Sequence, residues 1–345
     1  MALLTYDEVL SQTAKDKRFL LTGNGFSISY NYERFSFTSL LESAVANNLI
    51  KKESPIYSVF QEFATKDFEE VVKLLETSVK VVEKYKAINT KDKELIQNDA
   101  KTLKRHLVNI ITNNHPEKIT EISDEEFSYS TKFISQYNKV YTLNYDLLLY
   151  WSTIKLLDLI YNNKIDNVVL NPTDGFHNSD IVDDYVVFGN DNSSQEVYYL
   201  HGALHIFDKK SSIIKNTYSR TDIALKEQTL KNLQNDIYPV FVSEGSSEQK
   251  KAKIIHNAYL NHCYKSLCSI GSKNSSLIIF GTMLKTNDTH IREAIKKNKV
   301  KNIYFGVSSE ENIEELESFK EELEKLDKPK NVFFYNYKTV SVWGK

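Results

Sequence analysis

The chain has 345 residues, 41% of them hydrophobic, which is enough for one large α/β domain or two closely associated ones. Its 44 Lys and Arg residues against 46 Asp and Glu residues leave a net charge of -2, which excludes a globally basic surface for nucleic acid or anionic membrane. No apolar run approaches the roughly 20 residues that span a bilayer, and the N-terminus lacks a signal-peptide pattern. We therefore expect a cytoplasmic protein without a membrane partner.

Short apolar runs, most of them separated by helix-like segments, predict buried parallel strands. They lie at residues 19–22, 140–143, 197–200, 239–242, 277–280, 303–305 and 332–335. This alternation predicts an α/β fold with a Rossmann-like, doubly wound and mostly parallel sheet, which binds ligands outside the carboxyl ends of its strands. We expect residues 1–345 to form a single domain of this kind.

Residues 37–133, between the first two runs, predict a large helical insertion or cap. Four apolar residues repeat there at helical spacing: Phe68, Val71, Val72 and Leu75. Asp67 lies three residues before Glu70, as is typical of a helix start, so we interpret Asp67 and Glu69 as structural. Residues 162–194 are rich in Asn, Asp and Gly, which predicts a lid or a surface loop.

The first apolar run ends in a glycine-rich turn, Gly23-Asn24-Gly25, which is followed by Phe26 and Ser27. Glycine lets the backbone approach a ligand closely, and the N–H groups after such a turn can meet a phosphate oxygen. A tight strand-to-helix turn without a ligand explains the same pattern. The motif alone leaves both interpretations open.

The second run ends in three polar residues, Thr142, Asn144 and Asp146, at the predicted carboxyl end of a strand. Asn144 can donate and accept hydrogen bonds toward ribose hydroxyls or a water molecule, which favours a functional role. Asp146 can accept a hydrogen bond from a ligand hydroxyl, or it can cap the helix that follows. Both interpretations of Asp146 stay open.

The third run ends at His201 and Gly202. Histidine titrates near neutral pH, so a histidine at a strand end is a natural general base. Gly202 again permits the close approach of a ligand. We interpret His205, three residues later, as structural or as a residue that supports the site.

A further strand end carries Gly281 and Thr282, before a helix that we expect to begin near Asp288. A second glycine turn at the same sheet edge suits a dinucleotide that lies across the point where the strand order reverses. In the loop after residues 239–242, Glu244 is a weaker candidate for a ribose contact.

The segments GNGFS, TLNYD, LHG and FGTML, in this order, resemble the sirtuin-like NAD-binding family, and the resemblance is better to its bacterial members outside the deacylases. It implies a Rossmann-like fold with NAD as the substrate. The implied NAD-binding residues are Gly23, Asn24, Gly25, Phe26, Ser27, Asp146, Gly281 and Thr282, and the implied catalytic residues are Asn144 and His201. Many such relatives consume NAD in bacterial defence against phage, and a bacterial domain of unknown function shares the motif order.

Two departures from the deacylases narrow the expected chemistry. Leu143 stands where deacylases carry Gln, and two cysteines, Cys263 and Cys268, cannot supply a four-cysteine zinc module. We therefore expect a NAD glycohydrolase (NADase) without a metal, in which Asn144 orients the ribose or the water and His201 accepts a proton. An apolar pocket around Phe26 is expected to exclude solvent.

Other functions remain open. A sensor that binds NAD or an ADP-ribose derivative without cleaving it would need the same motifs, and so would a protein deacylase or an ADP-ribosyl transferase. The resemblance also implies a phage-derived or protein trigger and a homo-oligomer as partners.

Overall fold

The computed structural model describes residues 3–35, 37–65, 68–85, 89–116, 118–178, 185–189, 194–209, 212–217, 225–234, 239–242 and 247–344. Asp67, the proposed helix start, and Glu244, the weaker ribose candidate, lie outside these ranges. The predicted lid at residues 162–194 lies outside them in part.

The strands of the described ranges are numbered in chain order. They are β1 (Lys17–Thr22), β2 (Lys139–Thr142), β3 (Phe176–Asn178), β4 (Tyr185–Phe188), β5 (Val197–Tyr199), β6 (Gly202–Lys209), β7 (Ser212–Asn216), β8 (Pro239–Phe241), β9 (Ser275–Phe280), β10 (Asn302–Val307) and β11 (Asn331–Asn336).

The α-helices of the same ranges are numbered in the same way. They are α1 (Tyr6–Gln12), α2 (Gly25–Ile28), α3 (Tyr32–Phe35), α4 (Phe37–Ala46), α5 (Pro55–Glu62), α6 (Phe68–Tyr85), α7 (Thr90–Asn114), α8 (Asp124–Ile134), α9 (Leu148–Tyr161), α10 (Leu225–Gln234), α11 (Ser247–His256), α12 (Ala258–Ser269), α13 (Thr289–Lys297) and α14 (Glu310–Glu324).

The main sheet has six parallel strands in the order β11-β10-β9-β1-β2-β5. Counted along the chain within this sheet, the order is 6-5-4-1-2-3, which is that of doubly wound dinucleotide-binding sheets. The strand order reverses between β1 and β9, where Thr22 and Phe280 are paired in register. The predicted α/β, Rossmann-like fold is confirmed, and we call this place the switch point.

Burial of the central strands of this sheet explains their continuous apolar runs. All six residues of β9 are buried, and Leu20 and Leu21 of β1 have no exposed surface. A parallel strand with helices on both sides of its sheet has no solvent face, so its sequence shows a continuous apolar run. Six of the predicted strands are confirmed in this sheet.

The prediction for residues 239–242 is wrong in one respect. Here β8 pairs antiparallel with β6 in a second, five-stranded sheet of order β3-β4-β7-β6-β8. An apolar run predicts burial but carries no information on strand direction. The prediction of a loop over residues 162–194 is wrong where β3 and β4 lie, because these two strands form one end of the second sheet.

As predicted, the chain between β1 and β2 is largely helical, with α4 to α8 in this segment. Phe68, Val71 and Val72 on α6 are buried. Near the end of the segment, Nε2 of His115 accepts a hydrogen bond from the Leu147 amide at 3.1 Å. This bond ties the helical segment to the loop that follows β2.

Among the helices in the described part of the chain, none is both long enough and apolar enough to cross a bilayer.

Candidate functional site

A cavity of about 830 Å³ opens at the carboxyl ends of the strands around the switch point. Its lining includes residues that follow β1, β2, β5, β9 and β10: Asn24, Asn144, His201, Gly281 and Ser308. The volume lies within the range of small-molecule and cofactor sites, which is about 300–1,000 Å³. The doubly wound sheet therefore places a ligand-sized cavity where such sheets bind their ligands.

Two glycine turns, residues 23–25 and 281–282, touch each other at one end of this cavity. The Gly25 amide donates to the Gly281 carbonyl at 2.8 Å, and a Cβ added to Gly25 would lie 2.4 Å from the Gly281 Cα. Gly281 has a φ of +70°, which favours glycine. Contact between two backbones thus requires glycine at both positions, independently of any ligand.

The backbone amides of Gly25 and of the two residues after it have acceptors within the protein. The amides of Gly25, Phe26 and Ser27 donate to the carbonyls of Gly281, Gly23 and Asn24 at 2.8, 3.0 and 3.0 Å. These three N–H groups therefore have acceptors without a ligand, which argues against their use for a phosphate oxygen. Helix α2, which they begin, is a single turn of four residues.

Phe26 belongs to the protein core rather than to the cavity wall. Its side chain is 1% exposed, its ring centroid lies 5.3 Å from that of Trp343, and its carbonyl accepts a hydrogen bond from Trp343 Nε1 at 2.8 Å. Neither Phe26 nor Ser27 lines the cavity. The expected solvent-excluding pocket around Phe26 is therefore wrong, because Trp343 covers this ring. Gly23 and Asn24 do line the cavity.

Ser27 instead joins the two polar residues that follow β2. Asn144 Nδ2 donates to Ser27 Oγ at 2.9 Å, and Ser27 Oγ donates in a short hydrogen bond to Asp146 Oδ2. Asn144 and Asp146 line the cavity and are almost fully buried. This network fixes the Asn144 side chain and leaves its carbonyl oxygen to meet a ligand.

Asp146 bonds to the start of the following helix and also lies at the cavity, while its contact with a ligand stays a prediction. Its Oδ1 accepts from the Leu148 amide at 2.9 Å, at the first residue of α9, while the residue also lines the cavity. Burial raises the pKa of the Asp146 carboxyl, and the hydrogen bonds from Ser27, Leu148 and Asn144 oppose that rise.

His201 follows β5, next to the end of β2. The Leu200 amide donates to the Thr142 carbonyl at 2.9 Å, and the Val242 amide donates to the His201 carbonyl at 2.9 Å. Gly202 has a φ of +78°, which allows the sharp turn into β6. These backbone bonds hold His201 in the same cavity wall as Asn144.

His201 also belongs to a group that we call the histidine cluster: His201, Lys250 and His290, which are buried, and Ser247 and Asp288, which are half-buried. His201 Nε2 lies 3.0 Å from His290 Nε2, and His290 Nδ1 lies 3.0 Å from Ser247 Oγ. The His290 amide donates to the same Ser247 oxygen at 2.6 Å. The cluster joins α11, α13 and the end of β5 beside the cavity.

Burial and the charges of the cluster keep both imidazoles neutral at neutral pH. Burial, with a smaller contribution from the Lys250 ammonium, lowers the pKa of His201 to about 3. Burial also lowers the pKa of His290 to about 3, while the Asp288 carboxylate opposes this shift. A neutral imidazole is the form that accepts a proton, and a lowered pKa also makes it a weaker base.

His201, Asp288 and His290 also have the donor types of a metal site, since their ligand atoms lie within 4.8 Å of one another. The ring centroids of His201 and His290 are 5.2 Å apart, and their Nε2 atoms are 3.0 Å apart. The first distance is close to the second plus the radii of the two rings, so each Nε2 atom points at the other. Two ligands of one ion would point at a third position. Lys250 Nζ lies 3.4 Å from Asp288 Oδ1 and already offers that carboxylate a cation. This geometry favours a hydrogen-bonded histidine pair.

Sequence reasoning missed His290 and Lys250, although helical spacing offered a signal for both. His290 lies four residues before Ala294 on α13, and Lys250 lies four residues before Ile254 on α11. Ala294 and Ile254 have no exposed surface, so both polar residues share a buried face with an apolar one. Lys250 is only 3% exposed, despite its place in a lysine-rich helix.

Fold and site together define the chain as a Rossmann-like α/β protein with a ligand-sized cavity at its switch point. Residues 20–343 match the family model described as Domain of unknown function (DUF4917), and the chain belongs to that family. The match spans both glycine turns, Asn144 and the histidine cluster. A comparison with curated proteins finds no match.

Proposed function

We propose that the chain is a NAD glycohydrolase, which uses water to cleave the bond between nicotinamide and ribose and releases nicotinamide and ADP-ribose. One observation carries the proposal. Asn144 and His201, which follow neighbouring strands, line a single cavity at the switch point of a Rossmann-like sheet, where dinucleotides bind in such folds.

In this proposal each part of NAD lies along a different part of the cavity. In this proposal the adenosine half lies along Gly281 and Thr282, and the nicotinamide ribose lies along Asn144 and Asp146. Because the amides after the first glycine turn are used internally, the diphosphate is held by side chains. Arg34 and Lys285, which line the cavity, supply the positive charge.

The proposed chemistry needs positioning and one proton acceptor. The glycosidic bond breaks with its electrons moving to the nicotinamide ring nitrogen, which is cationic in NAD, and the ribose gains oxocarbenium character. Asn144, held by Ser27, orients the ribose or the water. The water oxygen bonds to the ribose carbon, and neutral His201 accepts the water proton.

The residues support hydrolysis over acyl-lysine chemistry. Leu143, where the deacylases carry Gln, lines the cavity and has no hydrogen-bonding group in its side chain. Cys263 and Cys268 lie on one helix, α12, and burial raises the pKa of the Cys263 thiol to about 12. A buried neutral thiol is a poor zinc ligand.

A role in bacterial defence against phage, with a phage-derived or protein trigger and self-association, is the biological part of the proposal. It rests on the resemblance of GNGFS, TLNYD, LHG and FGTML to sirtuin-like effectors that consume NAD.

The test is nicotinamide release from NAD by the purified protein, followed by chromatography with and without lysate from phage-infected cells. We expect His201→Ala to lower turnover by about 10²- to 10⁴-fold, the usual contribution of a general base, with the fold intact. Asn144→Ala should lower it as well. His256→Ala, which changes an exposed histidine on α11, is the matched control and should retain turnover.

Wild-type turnover in both His201→Ala and Asn144→Ala would contradict the mechanism. Binding of intact NAD without nicotinamide release under every condition would instead support a sensor. Dependence of product formation on an added acceptor protein would support a transferase or a deacylase.

A further inference from the structure

We propose that His290 is a positioning residue that holds His201 in the tautomer able to accept a proton from the cavity, and that Ser247 accepts the Nδ1–H of His290 in this arrangement. The inference deepens the proposed NAD hydrolysis and rests on it for its kinetic readout.

The contact between the two histidines decides which nitrogen of His201 is available. Nε2 of His201 is engaged by His290 Nε2 at 3.0 Å, so Nδ1 is the nitrogen that remains for a ligand in the cavity. A neutral imidazole has one N–H and one lone pair. Nδ1 of His201 therefore accepts a proton only when Nε2 carries the hydrogen and donates it to His290.

Ser247 offers an acceptor for the next hydrogen bond. Its hydroxyl oxygen must accept the hydrogen bond from the His290 backbone amide at 2.6 Å, because an amide can only donate. The same oxygen can accept a second bond, from His290 Nδ1–H at 3.0 Å. His290 Nε2 is then left with its lone pair and accepts from His201 Nε2–H.

If both hydrogen bonds ran in the opposite direction, His201 Nδ1 could no longer accept a proton. If the Ser247 hydroxyl donated to His290 Nδ1, His290 Nε2 would donate to His201, and the hydrogen of His201 would sit on Nδ1. A water molecule or ribose hydroxyl that donates to His201 Nδ1 favours the first direction. Ligand binding and tautomer are therefore coupled through two hydrogen bonds.

Burial makes this coupling effective. His201 is 5% exposed and His290 is 1% exposed, so protein groups rather than solvent set the hydrogen positions of the pair. His290 does not line the cavity and so acts through His201. Once His201 has taken a proton, its Nε2–H still donates to the neutral His290. The Asp288 carboxylate raises the pKa of His290, whereas Lys250 and Lys251 lower it.

The kinetic test compares kcat and KM for NAD cleavage in wild type and variants. His290→Phe should lower kcat by about tenfold or more, which is part of the 10²- to 10⁴-fold contribution of a general base. KM should stay within about twofold, because His290 does not touch the ligand. Ser247→Ala should lower kcat less, and Ser247→Thr, which keeps the hydroxyl, should restore it.

His205→Phe is the matched control. This histidine is also fully buried, and neither of its ring nitrogens has a hydrogen-bond partner among the described residues, so a phenyl ring removes no bond. Its ring stacks on Tyr150 with centroids 4.4 Å apart, a contact that Phe can keep. We expect wild-type kcat and KM from this variant.

Nitrogen-15 NMR of the imidazoles separates this inference from the proposed function. His201, identified by the signals lost in His201→Gln, should carry its hydrogen on Nε2 in the wild type and shift toward Nδ1 in His290→Phe. Hydrogen on Nδ1 in the wild type, the same tautomer in both proteins, or an unchanged kcat in His290→Phe would overturn the inference. A tautomer change in a protein that never cleaves NAD would support the hydrogen-bonded pair and contradict the NADase proposal.

Discussion

The two ends of the cavity differ in what forms them: backbone contacts at one end and polar side chains at the other. At the glycine end, residues 23–25 and 281–282 meet through their backbones, and the amides of Gly23 and Gly25 have acceptors within the protein. At the histidine end, side chains from three distant segments form a buried polar cluster around His201 and His290. The glycine end is explained by packing alone, whereas the buried imidazoles are not.

This difference shows which features of such a site indicate a function and which indicate only packing. A glycine motif at a strand end marks the place where two strands diverge, and it is required there whether or not a phosphate binds. Buried polar side chains lose hydration on folding, so their presence beside a cavity is the more specific sign of chemistry. Three substitutions test this contrast.

The largest effect on stability is expected at the glycine end. Gly25→Ala places a Cβ 2.4 Å from the Gly281 Cα, and because that neighbour is backbone it cannot rotate away. We expect a loss of about 1–3 kcal/mol in the free energy of unfolding, typical of overpacking, measured by urea denaturation. Gly189→Ala is the control, since its Cβ meets only a side-chain atom, at 3.2 Å. Wild-type stability in Gly25→Ala would remove the packing explanation.

A smaller effect is expected at the histidine end, where a substitution should change the pKa values of His201 and His290 and leave the fold intact. Lys250→Met removes a buried cation that lowers the pKa of both His201 and His290. The pKa of each histidine should rise from about 3, measured by NMR titration of the imidazoles. Lys251→Met, which changes the less buried neighbouring lysine, should shift them less. Unchanged pKa values in Lys250→Met would show that the ammonium does not act on the cluster.

The smallest effect is expected for Asp146, which lies between the two ends, and it concerns how stability depends on pH. Its pKa is raised in the folded protein, so its stabilising effect is greatest below the unfolded pKa of about 3.9 and is lost as pH rises through the folded value. Asp146→Asn keeps the acceptor for Leu148 and does not ionise. Relative to wild type, the variant should therefore gain stability as pH rises from about 4 upward in urea titrations at stepped pH. A constant difference between the two proteins would contradict the raised pKa.

The sequence predicts the main sheet well because its buried strands require apolar residues, which form recognisable runs in the sequence. Strands β1 and β9 each contain a continuous apolar run, Phe19 to Leu21 and Leu277 to Phe280, because neither face of the parallel sheet is solvated there. The second sheet gives a weaker signal. Strands β3 and β4 have only three and four residues, and they lie within a polar segment whose composition favours a loop.

The candidate site could be predicted only in part. Asn144, Asp146 and His201 follow apolar runs directly, so chain order alone places them at the ligand edge of the sheet. His290 and Lys250 lie on helices, where a polar residue is expected to face solvent unless tertiary contacts bury it. Their partners, Ser247 and Asp288, come from other segments, and no local pattern in one sequence encodes such contacts.

The most direct test of the account is the NAD content of cells that express the wild type or His201→Gln, with and without phage challenge. The account predicts that NAD falls and nicotinamide rises on challenge in cells with the wild type, and that neither changes in cells with the variant at equal protein level. NAD loss of the same size with His201→Gln would contradict the assignment of the chemistry to the histidine end of the cavity.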